Sequence, residues 1–144
     1  MNAVTDALLR FTVSASATAE RASLLAAGDD LPIETRWQPV EPATHPGPAE
    51  LLAGAFAACL LKNIARSSAL MPFAYDAVDV TVTVHRQDAP SRFTAIEYAL
   101  HLVTAEPAHR VELLHRNLQK FGTVYNTLAA VCEVSGTVTT TPAG

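Results

Sequence analysis

Cysteine, charge and aromatic side chains are all scarce in this chain. Cys59 and Cys132 are the two cysteines in 144 residues, which excludes the multi-bridge framework of small secreted domains and favours a reducing compartment. Charged residues make up 17%, the formal net charge is -4, and the ten basic residues are scattered; tracking phosphates needs clustered Lys and Arg, so no nucleic-acid partner is expected. Three Tyr, five Phe and one Trp leave Ala, Val and Leu to build most of the core, within a composition that is 49% hydrophobic. The sequence has no CxxC, no GxSxG and no Gly-rich phosphate loop. His45, His85, His101, His109 and His115 show no metal-site spacing with cysteine or carboxylate, so no metal, nucleotide cofactor or hydrolytic triad is expected.

Long apolar runs are missing too. The longest, Leu51 to Leu61, is eleven residues before Lys62, short of the roughly 20 that span a bilayer. The first twenty residues carry Asp6, Arg10 and Glu20 and lack the basic start and apolar run of a signal peptide. The expectation is one soluble cytoplasmic domain over residues 1–144, with no membrane partner and a length at the commonest domain size.

What is present reads as alternating structure. Leu8 to Thr18 suggests a strand, and Leu24 to Ile33 a second extended stretch around a turn at Gly28-Asp29-Asp30. Trp37 to Pro48 holds too many prolines for regular structure, and Pro48 suits a helix's first turn. From Pro48 to about Ser68 the chain predicts a helix. Its first half, apolar on nearly every face, should be enclosed by protein, and its second half, with Lys62, Asn63 and Arg66, should reach solvent. Val78 to Val84 and Ile96 to Leu102 alternate strictly, with turn residues Gln87 to Ser91 between them, which predicts an antiparallel hairpin. Pro107 opens a helix with Val111, Leu114, Leu118 and Phe121 on one face and Gly122 as its stop, continued by a short piece over Thr123 to Leu128. A last strand runs from Ala130 to Thr139. The fold class is α+β.

One residue carries chemistry. Cys59, buried mid-helix, is a small hydrophobe unless a cation or hydrogen-bond donors make it a thiolate; its own helix is expected to offer none within one turn. Glu50 lies nine positions earlier, roughly 13 Å of helical rise, so the two side chains cannot meet within that helix. As a carboxylate in a first turn, Glu50 is favoured by the helix dipole. Arg21 and Arg36 flank the N-terminal hairpin, and either could supply the cation. Cys132 is read as core on the apolar face of the last strand.

The element order, with Pro48-Ala49-Glu50-Leu51-Leu52 and then Ala55-Phe56-Ala57-Ala58-Cys59, resembles the OsmC/Ohr family of osmotically inducible and organic hydroperoxide resistance proteins, over most of the chain. The resemblance implies an intertwined homodimer with two central helices packed against antiparallel sheets and sites at the interface. It also implies peroxide reduction through Cys59, aided by Arg21 and by a glutamate at the helix start, for which Glu50 is the match. Two departures stand out. Where the family has two consecutive glutamates, the first falls on Ala49, and the second family cysteine, which opens a Cys-Pro-Val-Ser-x-Thr-Leu stretch, falls on Gly122 of Gly122-Thr123-Val124-Tyr125-Asn126-Thr127-Leu128.

Two functions follow from the resemblance. One is a one-cysteine hydroperoxide reductase, a cysteine-based peroxidase of oxidative-stress defence that relies on an external thiol reductant. The other is a non-catalytic homodimer binding a small hydrophobic ligand.

Overall fold

A computed structural model describes residues 9–38 and 44–144. The expected strand start at Leu8 and the loop prolines Pro39 and Pro42 lie outside the described residues. The chain forms two compact units, one ending at Leu51 and one running from Leu52 to Gly144, and each is described by itself.

The first unit is a three-stranded antiparallel sheet of β1 (Ser14–Ala17), β2 (Ala22–Ala26) and β3 (Asp29–Ile33), in that order. The hairpin between β2 and β3 turns on Ala27 at φ 52° and Gly28 at φ 88°. Two consecutive positive φ values suit the twist of a two-residue hairpin, and Gly28 adopts its value without a side-chain penalty. The turn therefore sits earlier than expected from Gly28-Asp29-Asp30, and both aspartates pair in β3, Asp30 with Leu25 and Asp29 with Ala26. The turn between β1 and β2 is held by Thr18, whose Oγ1 accepts from the backbone N–H of Glu20 and of Arg21, each at 3.3 Å.

The second unit places helices over a mixed sheet. Helix α1 (Pro48–Leu70), which begins in the first unit, leads to β4 (Ala77–Asp88), β5 (Ser91–Val103), α2 (Ala108–Phe121), α3 (Thr123–Ala129) and β6 (Glu133–Thr141). Strands β4 and β5 form the expected antiparallel hairpin, from Ala77 opposite Val103 to Asp88 opposite Ser91, with a bulge at His85/Arg86. Strand β6 runs parallel to β5, Ala95 opposite Glu133 through Val103 opposite Thr141. The expectation of wholly antiparallel sheets is corrected here. The two helices between β5 and β6 return the chain to the end from which β5 started, and a crossover of that kind makes the next strand parallel.

The core of this unit lies between the helices and the central strand. Ile96, Tyr98, Leu100 and Leu102 of β5 are buried on one side. They meet Phe56, Leu60 and Ile64 of α1 and Val111, Leu114 and Leu118 of α2. Spacings of three and four residues put each helical set on one stripe. Phe121, expected on the stripe of α2, is instead 45% exposed. Its ring lies against Arg66, whose guanidinium carbon is 4.9 Å from the ring centroid.

Helix α1 differs from its expectation in how far it is enclosed. It is buried along one stripe of Phe56, Leu60, Ile64 and Ser67, while Gly54, Ala55, Ala58 and Leu61 are exposed, so it is not enclosed on every face. Its bounds, Pro48 to Leu70, agree with the expected helix from Pro48 to about Ser68. Its 23 residues, with a mean hydropathy of 1.3 over the richest window, match a membrane span by length and composition alone. Its buried stripe packs against Ile96, Tyr98 and Leu100.

Candidate active site around Cys59

The helical stripe that buries Phe56 and Leu60 sets the place of Cys59, three residues after Phe56 and therefore on the border between core and surface. Cys59 is half-buried, not fully buried as expected, and packs against the cluster of Phe56, Leu60 and Tyr125. Along the same border follow Asn63, four positions on, and Arg66, seven positions on.

Asn63 overturns the expectation that the helix offers Cys59 no donor within one turn. Its Nδ2 donates to the backbone carbonyl oxygen of Cys59 at 2.9 Å and to Cys59 Sγ at 3.5 Å. The signal was legible in the sequence, since residues four apart on a helix are neighbours.

Close to the sulfur also stands Gly122, at the junction of α2 and α3. A β-carbon built there would lie 3.1 Å from Cys59 Sγ and 2.9 Å from the β-carbon of Tyr125. The backbone of Gly122 is extended, at φ -72° and ψ 123°, so its lack of a side chain answers to close packing and not to an unusual conformation.

The other expected site residues sit elsewhere. Arg21 is exposed just ahead of β2, and Glu50 is exposed in the first turn of α1. Neither makes an ion pair among the described residues. Both belong to the first unit, whereas Cys59 belongs to the second. Arg21 lines a cavity of about 760 Å³ with Glu20, Glu34, Arg36 and His45. Arg36 is engaged there: its Nε donates to Glu34 Oε1 at 2.9 Å, and its backbone N–H to the same oxygen at 2.8 Å. Those hydrogen bonds hold the Glu34 carboxyl down at about 2.

Cys132 stands in the turn just before β6, not on that strand as expected. It is half-buried against the same core, and its thiol donates to the carbonyl oxygen of Phe93 at 3.5 Å. Both cysteines are free. A second polar cluster escaped the sequence reading altogether. Tyr98 Oη lies 2.7 Å from His115 Nε2, beside a cavity of about 690 Å³ lined by Glu106, Glu112 and Gly136. Burial pushes the Tyr98 phenol up and the His115 imidazole down. Among the described residues no cluster of His, Cys, Asp and Glu could hold a metal ion.

The family described as OsmC-like protein matches residues 41–136, a span that includes Cys59, Asn63 and Gly122. The chain belongs to that family. This OsmC-like protein also shares its fold with solved structures at low identity. The OsmC-like protein from Mycoplasma pneumoniae superposes with a TM-score of 0.82 at 16% identity, covering 91% of this chain and 96% of that one. An organic hydroperoxide resistance protein OsmC from Legionella pneumophila gives 0.73 at 16% identity, covering 90% and 96%. The organic hydroperoxide resistance protein OhrB of Bacillus subtilis gives 0.69 at 13% identity, covering 92% and 99%. No curated protein matches the OsmC-like chain in sequence.

Proposed function

We propose that this OsmC-like protein is a one-cysteine, thiol-dependent organic hydroperoxide reductase of oxidative-stress defence, working as a soluble cytoplasmic homodimer. The observation that carries the reading is the half-buried Cys59 sulfur, which accepts a hydrogen bond from Asn63 and has glycine where a resolving thiol would stand.

The Cys59 thiolate attacks one peroxide oxygen and the O–O bond breaks. The leaving alkoxide takes up a proton to become an alcohol, and the sulfur, oxidised by two electrons, is left as a sulfenic acid. With glycine at position 122, an external thiol attacks that sulfur and releases water. A second thiol then cleaves the mixed disulfide and frees Cys59. The sum is one hydroperoxide and two thiols giving an alcohol, water and a disulfide. By the resemblance, Arg21 is the match for the arginine that helps to activate the family's cysteine, and Glu50 the match for its helix-start glutamate. The alternative, a binding module for a small hydrophobic ligand, gains nothing from the two cavities above, whose linings carry several charged side chains.

The test is the rate of Cys59 sulfenic acid formation with cumene hydroperoxide and with hydrogen peroxide, in the native chain, Cys59→Ser and Arg21→Ala. Fast oxidation that prefers the organic peroxide and slows at least tenfold in Arg21→Ala, about 1.4 kcal/mol of barrier, is the expected result. Oxidation no faster than that of an ordinary free thiol would overturn the reading.

A further inference from the structure

Cys59 is the twelfth of the 23 residues of α1, too far from either end for the helix dipole to act on its sulfur. Stabilisation of a thiolate there must come from side chains. Asn63 presents its amide to the Cys59 carbonyl oxygen and sulfur together. A carbonyl oxygen only accepts, so the atom facing it is the NH2 group and Oδ1 is turned away. The same group is thereby held toward the sulfur, and the described residues place no other hydrogen-bond donor on it.

We infer that Asn63 is a positioning residue that favours the thiolate form of Cys59, the carbonyl anchoring the amide and the amide donating to the sulfur. The inference rests on the peroxidase reading for its purpose but not for its measurement. A donor strengthens its hydrogen bond when the acceptor becomes charged, so the contact favours thiolate over thiol. Asparagine is a poor helix former, and a purely structural role in mid-helix would be served better by alanine or leucine.

The experiment uses the full chain with Cys132→Ser, so that Cys59 alone reports. Thiolate ultraviolet absorbance and the rate of alkylation by iodoacetamide are followed against pH with Asn63 native, Asn63→Leu and Asn63→Ala. Both variants remove the donor without adding a charge, and both should lower the thiolate fraction at neutral pH about tenfold, a shift of one pH unit in the profile. A profile unchanged within about twofold in a folded variant overturns the inference. Should Asn63→Leu fail to fold, Asn63→Ala, which adds no bulk and favours the helix, decides alone. No peroxide enters the measurement, so a slow native peroxidase with a shifted variant profile sinks only the proposed activity. Fast oxidation with an unshifted profile sinks only the role of Asn63.

Discussion

The sulfur of Cys59 lies 3.1 Å from the point where a β-carbon on residue 122 would stand. In a disulfide, an S–S bond of about 2.04 Å puts each sulfur roughly 3 Å from the partner's β-carbon. Glycine here leaves a vacant half of a disulfide.

Gly122→Cys should therefore form an intramolecular disulfide with Cys59 on mild oxidation. Closing a loop of roughly 60 residues stabilises by about 4 kcal/mol in the chain-entropy model, less the strain of a contact that would fall 2.9 Å from the Tyr125 β-carbon. The expected signs are faster migration on non-reducing gels, a loss of two hydrogens in the intact mass and a raised Tm that reductant reverses. A variant that keeps both of these thiols titratable under oxidant would place the α2–α3 junction out of reach of the sulfur.

Gly136→Ala should destabilise by about 3 kcal/mol, the upper end for overpacking. Gly136 pairs with Tyr98 across β5 and β6, and a β-carbon there would fall 2.1 to 2.3 Å from three carbons of the Tyr98 ring. That ring is 3% exposed and cannot swing away. Denaturant midpoints in a double-mutant cycle with Tyr98→Leu should show the cost largely relieved; equal costs in both backgrounds would separate the glycine from the ring.

The pH dependence of stability should carry the signature of His115. Burial lowers its imidazole below the ordinary 6.5, so the unfolded chain binds the proton more readily than the folded one. The contribution is complete above the unfolded value and is lost as pH falls through it toward the folded one. Tyr98 adjoins the ring, Gln119 reaches the same phenol, and Glu106 and Glu112 share the cavity. His115→Gln, which keeps a hydrogen-bonding partner for Tyr98 without a titration, should flatten the fall in urea midpoint between about pH 7 and about pH 5.5. The same slope in both chains would show that the folded state accepts the charged imidazole.

Much of the fold was legible from periodicity. The alternation of Val78 to Val84 and of Ile96 to Leu102 pointed to a hairpin that is present, and the spacing of Val111, Leu114 and Leu118 to a helix that is present, because burial on one side imposes a period on any regular element. Direction was not legible. Whether β6 joins β5 parallel or antiparallel depends on the path of α2 and α3, and an alternating pattern is the same in either sense. Phe121 followed the helical period yet lies outside the core, since the stripe ends where the helix ends.

The site divides in the same way. Local order along one helix determined that Asn63 lies one turn from Cys59, because helical geometry fixes neighbours four residues apart; that Cys59 stands at the edge of a buried stripe, and not inside an enclosed helix, was decided by packing. Only the tertiary structure decided that Gly122, 63 positions further along the chain, meets the Cys59 sulfur, and that Tyr98 covers Gly136. Those contacts join elements distant in sequence, and their closeness follows from how helices and strands pack, which no local pattern encodes.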